Sequence, residues 1–173
     1  MLINSANYLF RSLMPRQLLP LQTYAFAQHG AHSPDFLKVV DDARTRIKEL
    51  TVDQARHHLE KNHKAVLVDV REDSEWAQGH AVNATHLGKG VLERDIGTKF
   101  PDHNQEIIMY CGGGFRSALT CDVAQKMGYK HVFSLIGGYK ALIQAGWPMN
   151  TNVSHSPGDH SHHGHNNHGH NKK

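Results

Sequence analysis

One of the two cysteines in this sequence begins a glycine-rich loop. Residues 111–117 read Cys-Gly-Gly-Gly-Phe-Arg-Ser, an apolar run precedes them, and a helical pattern follows. Successive glycines let a backbone turn sharply with its N–H groups pointing inward, and a helix N-terminus stabilises an anion. We therefore expect Cys111 to be a thiolate nucleophile. Its anion cradle comprises Gly112, Gly113, Gly114, Phe115 and Arg116.

The two cysteines have different expected roles. A buried thiol beside a flexible turn is the alternative for Cys111, because cysteine is often buried, but the three glycines and the charge of Arg116 argue against it. Cys121 follows ten residues later on the predicted helix, about 15 Å along its axis. That separation is too large for a disulfide. We expect Cys121 to be a packed core thiol, with a resolving cysteine as the alternative.

Three short apolar runs predict the strands that position the loop. They lie at residues 65–70, 106–110 and 131–135, and each is typical of a strand buried on both faces. Helical patterns separate them, notably at 116–127, where Gly128 suits a C-cap. Alternating strands and helices favour an α/β fold with a parallel sheet. In such a sheet, ligands bind at the carboxyl ends of the strands.

Two helices are expected before the first strand. Ser-Pro-Asp at residues 33–35 is typical of a helix start, and helically spaced apolar residues then predict a helix over 34–50. Its apolar stripe is expected to pack on the domain or on a partner. Thr51 and Gln54 have the spacing of a capping box, which predicts a second helix through Leu59.

Composition and charge divide the 173 residues into three segments. Residues 34–150 hold equal numbers of basic and acidic residues, so the formal charge of +3 belongs to the segments 1–33 and 151–173. A neutral domain gives no electrostatic case for binding nucleic acid, which needs a basic face. Since no stretch of about 18 apolar residues occurs, no transmembrane segment is expected.

Residues 1–33 are expected to be a disordered extension or a targeting segment. They contain arginines, serines and leucines but no acidic residue, a composition typical of a mitochondrial transit peptide. An N-terminal extension of a bacterial protein is the other interpretation. We expect a cytoplasmic protein, and a location in the mitochondrial matrix if the segment is a transit peptide.

Two further motifs accompany the cysteine loop. The first comprises LVDVRE at 67–72, Glu75, Gly79, His80 and Ala84. The second comprises LIGGY at 135–139 and GWP at 146–148. Over residues 50–150, these motifs and the loop resemble the signatures of rhodanese-like sulfurtransferases. The departures are Ala81 and Asn83, where isoleucine and glycine are usual, and Tyr139, where tryptophan is usual.

The resemblance implies a fold and a reaction. The implied fold is a single rhodanese-like α/β domain of three layers, with a central parallel sheet flanked by helices. In the implied reaction, Cys111 takes a sulfane sulfur from a donor such as thiosulfate, holds it as a persulfide, and passes it to cyanide, a thiol or a protein cysteine. Arg116 would bind the sulfonate oxygens of thiosulfate, and no cofactor is required.

Three residues are expected to fix the position of the loop without contacting the substrate. Asp69 ends a predicted buried strand and Arg71 follows it, so a buried ion pair that fixes the loop is favoured over an indirect role in catalysis. His80 is expected to join the same network as a satisfied hydrogen-bonding group, in preference to a general base. His86 is expected to be structural.

Two alternative functions remain open at this stage. Dual-specificity phosphatases that activate cell-cycle kinases resemble this architecture, but their loop is one residue longer than the four residues between Cys111 and Arg116. They also have a histidine where Tyr110 stands. The second alternative is a sulfur carrier or protein-interaction module without turnover, to which a metal-binding tail would deliver metal.

The segment 151–173 contains seven of the 16 histidines and is expected to be a disordered tail. Its densest cluster comprises His160, His162, His163 and His165. Clustered imidazoles bind zinc or nickel, so the tail is either a loose metal-capture segment or a solvated segment that binds metal only adventitiously.

Calorimetric titration with zinc separates these two interpretations of the tail. If the histidines capture metal, a truncation to residues 1–152 loses the zinc affinity of the full-length chain. Unchanged affinity after truncation contradicts a role for the tail in metal capture.

Overall fold

The apolar runs of the sequence form the centre of a parallel β-sheet. A computed structural model describes residues 32–151 of the chain. The strands are β1 Lys48–Leu50, β2 Val66–Asp69, β3 Gly79–Ala81, β4 Ala84–His86, β5 Glu106–Tyr110, β6 His131–Leu135 and β7 Met149–Thr151. The helices are α1 Pro34–Arg44, α2 Val52–Lys61, α3 Asp73–Gln78, α4 Leu92–Lys99, α5 Phe115–Lys126 and α6 Gly138–Gln144. Five parallel strands pair in the order β1-β6-β5-β2-β4, and β3 pairs with β7 separately in antiparallel fashion.

Helices cover both faces of the five-stranded sheet, because its central strands are apolar on both sides. In β5, Ile107 and Met109 pack into a core cluster formed with α4 and α5. Ile108 and Tyr110 face the opposite side and pack into a second cluster with α2 and α6. All four side chains are fully buried. The chain therefore has the layered α/β fold with a central parallel sheet that its sequence predicts.

The strand register brings the functional segments to one edge of the sheet. Pairing of β2 with β5 places Asp69 beside Tyr110, and pairing of β5 with β6 places Met109 beside Ser134. Parallel strands present their carboxyl ends at a common edge. Cys111, which directly follows β5, therefore lies close to the residues that follow β2 and β6.

The helix expected over residues 34–50 is wrong in its last third. α1 ends at Arg44, and residues 48–50 form the edge strand β1, which pairs with β6. Ile47 packs against the cluster under α4 and α5, whereas Leu50 packs into the cluster on the other face of the sheet. Residues three apart on a helix share one face. The apolar spacing of these two residues therefore only mimics a helix, and pairing with β6 decides the strand.

Both predicted helix starts are confirmed. The Ser33 side chain accepts a backbone hydrogen bond of 3.2 Å at the start of α1, and Thr51 and Gln54 form a capping box at the start of α2. α2 continues past Leu59 to its end at Lys61. Val40 and Ala43 are buried where α1 contacts α5. α1 therefore packs on the domain itself.

Two of the three expected segments extend beyond the described residues. The expected targeting segment falls mainly on residues 1–31, which lie outside the described residues. The tail expected over residues 151–173 begins one residue later, because Thr151 ends β7. The rest of the tail lies outside the described residues, so both segments remain predictions. Between residues 32 and 151, no helix is long and apolar enough to cross a membrane.

An ion pair of α5 generates a prediction about stability at acid pH. Asp122 accepts hydrogen bonds from Arg46 (2.8 and 3.1 Å) and Lys126 (2.7 Å). The bonds from Arg46, followed by those from Lys126, lower the pKa of Asp122 to about 2 against the opposing effect of burial. Because this pKa is below that of an unfolded aspartate, about 3.9, the stabilisation is present above pH 4 and is lost as the pH falls towards 2.

Asp122→Asn is expected to lower the free energy of unfolding at pH 7 by about 1 kcal/mol. It should also flatten the pH dependence of stability between pH 4 and pH 2, measured by urea denaturation. The control is Asp41→Asn, whose carboxylate is exposed and lies 3.5 Å from Arg44. Equal acid sensitivity of the Asp122 variant and the wild type would contradict this assignment.

Candidate active site

The sulfur of Cys111 lies inside the loop that follows β5. Its Sγ accepts a hydrogen bond from the backbone N–H of Gly114 at 3.2 Å and a longer one from the Ser117 hydroxyl at 3.7 Å. The residue is only 1% exposed. Both donors belong to the turn that starts α5, so the positive end of the helix is directed at the sulfur. The arrangement suits a thiolate.

Gly114 makes this turn possible. Its φ of +91° lies in the left-handed region that disfavours other residues. A Cβ atom at this position would also lie 3.1 Å from the nitrogen of Gly137 and from the carbonyl oxygen of Leu135. The glycine therefore allows the loop to pack tightly against the end of β6 while its N–H group points to the sulfur.

The start of α6 supports the cysteine loop through its backbone. The N–H of Tyr139 donates to the carbonyl oxygen of Cys111 at 2.7 Å, and the N–H of Lys140 donates to that of Gly112 at 3.4 Å. A Cβ atom on Gly138 would lie 2.2 Å from the Cys111 oxygen, closer than any contact allows. The second glycine-containing motif is therefore the place where the backbone of α6 approaches the loop too closely for a side chain. Sequence reasoning recognised that motif without finding this contact.

Ser117 and Ser134 form a buried polar pair beside the sulfur. Their hydroxyl oxygens are 2.9 Å apart, and both side chains are fully buried. When Ser134 donates to Ser117, the Ser117 proton is free to bond to the Cys111 sulfur. Sequence reasoning missed Ser134. The signal was a serine within the otherwise apolar strand β6, since a buried hydroxyl needs a partner.

Arg116 is paired with a glutamate of α3. Its Nη1 donates to Oε2 of Glu75 at 2.6 Å and its Nη2 donates to Oε1 at 2.9 Å, while Glu72 lies 3.5 Å away. The hydrogen bonds from Arg116 hold the pKa of Glu75 below its usual range, although burial opposes the shift. The same bonds raise the pKa of Arg116. Glu75 belongs to the first sequence motif, and its spacing in the sequence does not predict this contact with the loop arginine.

Asp69 and Arg71 form a buried ion pair at the end of β2. The Arg71 Nη2 donates to Oδ2 of Asp69 at 2.7 Å and also to the carbonyl oxygen of Gly79 at 2.7 Å. The guanidinium lies over the ring of Tyr139, 4.0 Å from its centroid. The pair therefore connects the end of β2 to β3 and to the start of α6, which in turn holds the loop.

His80 reaches the network of Arg71 through Trp76, whose ring also stacks on His86 with centroids 4.9 Å apart. Its ring stacks on Trp76 with centroids 3.5 Å apart, its Nδ1 is 3.2 Å from the Trp76 carbonyl oxygen, and its Nε2 is 3.3 Å from the Asn150 side chain. The neighbouring Gly79 carbonyl takes the bond from Arg71. His86 is the histidine that contacts Arg71, because its Nε2 lies 2.9 Å from the Arg71 carbonyl oxygen.

The remaining candidates are the second cysteine and the histidines of the tail. Cys121 belongs to α5 and is fully buried in the core cluster that also contains Cys111, and this burial raises the pKa of its thiol well above the usual value. Among residues 32–151, no group of three or more side chains is arranged to hold a metal ion. The tail histidines proposed as weak metal ligands fall outside the described residues. They are His160, His162, His163 and His165.

Comparison with known sequences identifies a domain family and a curated relative. The model of the rhodanese-like domain matches residues 51–145. The thiosulfate sulfurtransferase GlpE of Haemophilus influenzae is 32% identical over 105 residues, which cover 60% of this chain and 95% of that protein. Residues 51–145, which match the family model, contain the strands from β2 to β6 together with the cysteine loop.

Two solved structures share this fold. The polysulfide-sulfur transferase homodimer of Wolinella succinogenes is 26% identical with a TM-score of 0.61, covering 75% of this chain and 93% of that one. A Rhodopseudomonas palustris protein of unknown function, described as a possible tyrosine phosphatase, is 28% identical with a TM-score of 0.62. The match covers 72% of this chain and 100% of the Rhodopseudomonas palustris chain.

Gly138→Ala is expected to disrupt the loop, because its Cβ would overlap the Cys111 carbonyl oxygen. We expect the free energy of unfolding to fall by about 3 kcal/mol, measured by urea denaturation. Gly97→Ala is the matched control, since a Cβ there meets nothing within 4 Å and alanine favours the helix. A Gly138 variant as stable as the wild type would contradict the close approach of α6.

Proposed function

Because this chain belongs to the rhodanese-like domain family, we propose that it is a sulfurtransferase that carries a sulfane sulfur as a persulfide on Cys111. One observation carries the proposal: the Cys111 sulfur lies at the start of α5 with the Gly114 N–H at 3.2 Å and the Ser117 hydroxyl at 3.7 Å. A thiol so placed is stabilised as a thiolate, which is the nucleophilic form.

In the first step, the Cys111 thiolate attacks the outer sulfur of a donor such as thiosulfate. The S–S bond of the donor breaks, sulfite leaves with the electron pair, and Cys111 holds the outer sulfur as a persulfide. In the second step, a thiol, cyanide or a protein cysteine attacks this outer sulfur and the Cys111 thiolate leaves. The two half-reactions form a ping-pong cycle, which requires no external oxidant and no cofactor.

The hydrogen-bond donors of the loop act in both steps of the cycle. The donors from Gly114 and Ser117 stabilise negative charge on the Cys111 sulfur, both as attacking group and as leaving group. Ser134 orients the Ser117 hydroxyl from β6. The buried pair of Asp69 and Arg71 positions the loop through β3 and α6, and acts without touching the reacting sulfur.

The names of two relatives support one chemical class of donor. The Haemophilus protein is named for thiosulfate and the Wolinella protein for polysulfide, and both donors contain sulfane sulfur. We extend that class to this chain as a proposal. The cytoplasmic location and metal capture by the histidine tail remain separate predictions.

Two other functions provide contrasting outcomes. A sulfur carrier without turnover would accept sulfur on Cys111 but would not complete a cycle with cyanide. A phosphatase, suggested by the description of the Rhodopseudomonas palustris protein, would hydrolyse p-nitrophenyl phosphate. The short loop between Cys111 and Arg116 argues against the phosphatase, because a smaller ring suits a single sulfur better than a tetrahedral phosphate.

Mass spectrometry after treatment with thiosulfate tests the proposal. We expect the full-length protein to gain the mass of one sulfur atom, Cys111→Ser to gain none, and Cys121→Ser to behave as the wild type. Addition of cyanide should remove the sulfur and yield thiocyanate repeatedly. Absence of any mass gain with thiosulfate, polysulfide, mercaptopyruvate and an organic persulfide would contradict the sulfurtransferase assignment.

A further inference from the structure

The loop has one charged side chain, and each of its terminal nitrogens already donates a hydrogen bond to a carboxylate. Within residues 112–116 only Arg116 is charged, and its Nη1 and Nη2 both donate to the Glu75 carboxylate, at 2.6 and 2.9 Å. Glu75 therefore takes up the end-on pair of N–H groups, the pair that would otherwise form parallel bonds to an oxyanion. A sulfonate at this site would meet a guanidinium whose charge is already compensated by a carboxylate.

The charge beside the loop also disfavours an anionic donor. The guanidinium of Arg116 and the carboxylates of Glu75 and Glu72, at up to 3.5 Å from it, sum to a formal charge of −1. The pair lies directly against the loop, because a Cβ on Gly112 would be 3.3 Å from Nη2 of Arg116 and 3.8 Å from Oε1 of Glu75. A dianion approaching the cysteine meets no uncompensated positive charge from this group.

Thiosulfate is a demanding donor for a sulfur as buried as that of Cys111. With the residue only 1% exposed, the transferred sulfur must enter the loop. The sulfonate group of thiosulfate is only one S–S bond, about 2 Å, behind that sulfur. Its charged oxygens would lose water at the loop entrance, which is costly without paired donors. A donor whose neighbouring atom is a divalent sulfur avoids this desolvation.

We propose that the preferred donor is an organic persulfide, and that Glu75 is the residue that determines this preference by holding Arg116. The inference rests on the proposed sulfurtransferase function. The Cys111 thiolate attacks the terminal sulfur of R–S–SH, a new S–S bond forms, and the S–S bond of the donor breaks. The thiolate R–S⁻ leaves with the electron pair, the proton stays on the transferred sulfur or passes to water, and no net oxidation occurs.

The first test compares two donors on the full-length wild-type protein. The rate of sulfur loading on Cys111 is measured by mass spectrometry with cysteine persulfide and with thiosulfate at equal concentration. We expect loading from the persulfide to be at least about tenfold faster, in keeping with one unfavourable charge contact. Equal or faster loading from thiosulfate overturns the inference. Absence of loading from both donors instead overturns the proposed function.

The second test assigns the preference to Glu75. In Glu75→Gln, the ratio of kcat/KM for thiosulfate to that for cysteine persulfide is expected to rise about tenfold, whatever happens to the absolute rates. Asp73→Asn is the matched control, since it removes the same charge from α3 where the carboxylate lies 3.7 Å from His86. An unchanged ratio in Glu75→Gln, or an equal change in Asp73→Asn, overturns the role of Glu75. If the Glu75 variant fails to fold, the wild-type comparison still decides the donor class.

Discussion

The approach of a backbone N–H to the Cys111 sulfur is the constraint on which the rest of the site depends. For the Gly114 N–H to lie 3.2 Å from Sγ, the chain must reverse within three residues and start α5 at once. That reversal requires a left-handed backbone at Gly114 and leaves little space for a side chain there. It also leaves the carbonyl groups of the loop in need of partners, which the N–H groups of α6 supply.

The β-sheet fixes the position of this chain reversal. Register between β2, β5 and β6 sets the buried Asp69, the cysteine loop and Ser134 at one edge. Each neighbouring strand then makes one contact that stabilises the loop. The ion pair of Asp69 and Arg71 connects the end of β2 to Tyr139 at the start of α6, and Ser134 of β6 orients Ser117. Because these contacts are buried, they lose little to solvent screening. The sulfur is therefore held by the fold itself.

Local sequence patterns predict what local physics controls. The strands β5 and β6, the capping box of α2 and the loop after Cys111 follow from apolar runs, glycines and helix starts, and all are present. Contacts between residues that are distant in the sequence could not be predicted from these local patterns. Pairing with β6 turns residues 48–50 into a strand, and contacts across the molecule place His86 rather than His80 beside Arg71 and join Glu75 to Arg116.

A crystal structure of the sulfane-treated protein tests the central claim most directly, because anomalous scattering locates each sulfur atom. The account predicts one additional sulfur bonded to Sγ of Cys111 and enclosed by the turn from Gly112 to Arg116. An additional sulfur on Cys121, or one on Cys111 that points away from the Gly114 N–H, would contradict it.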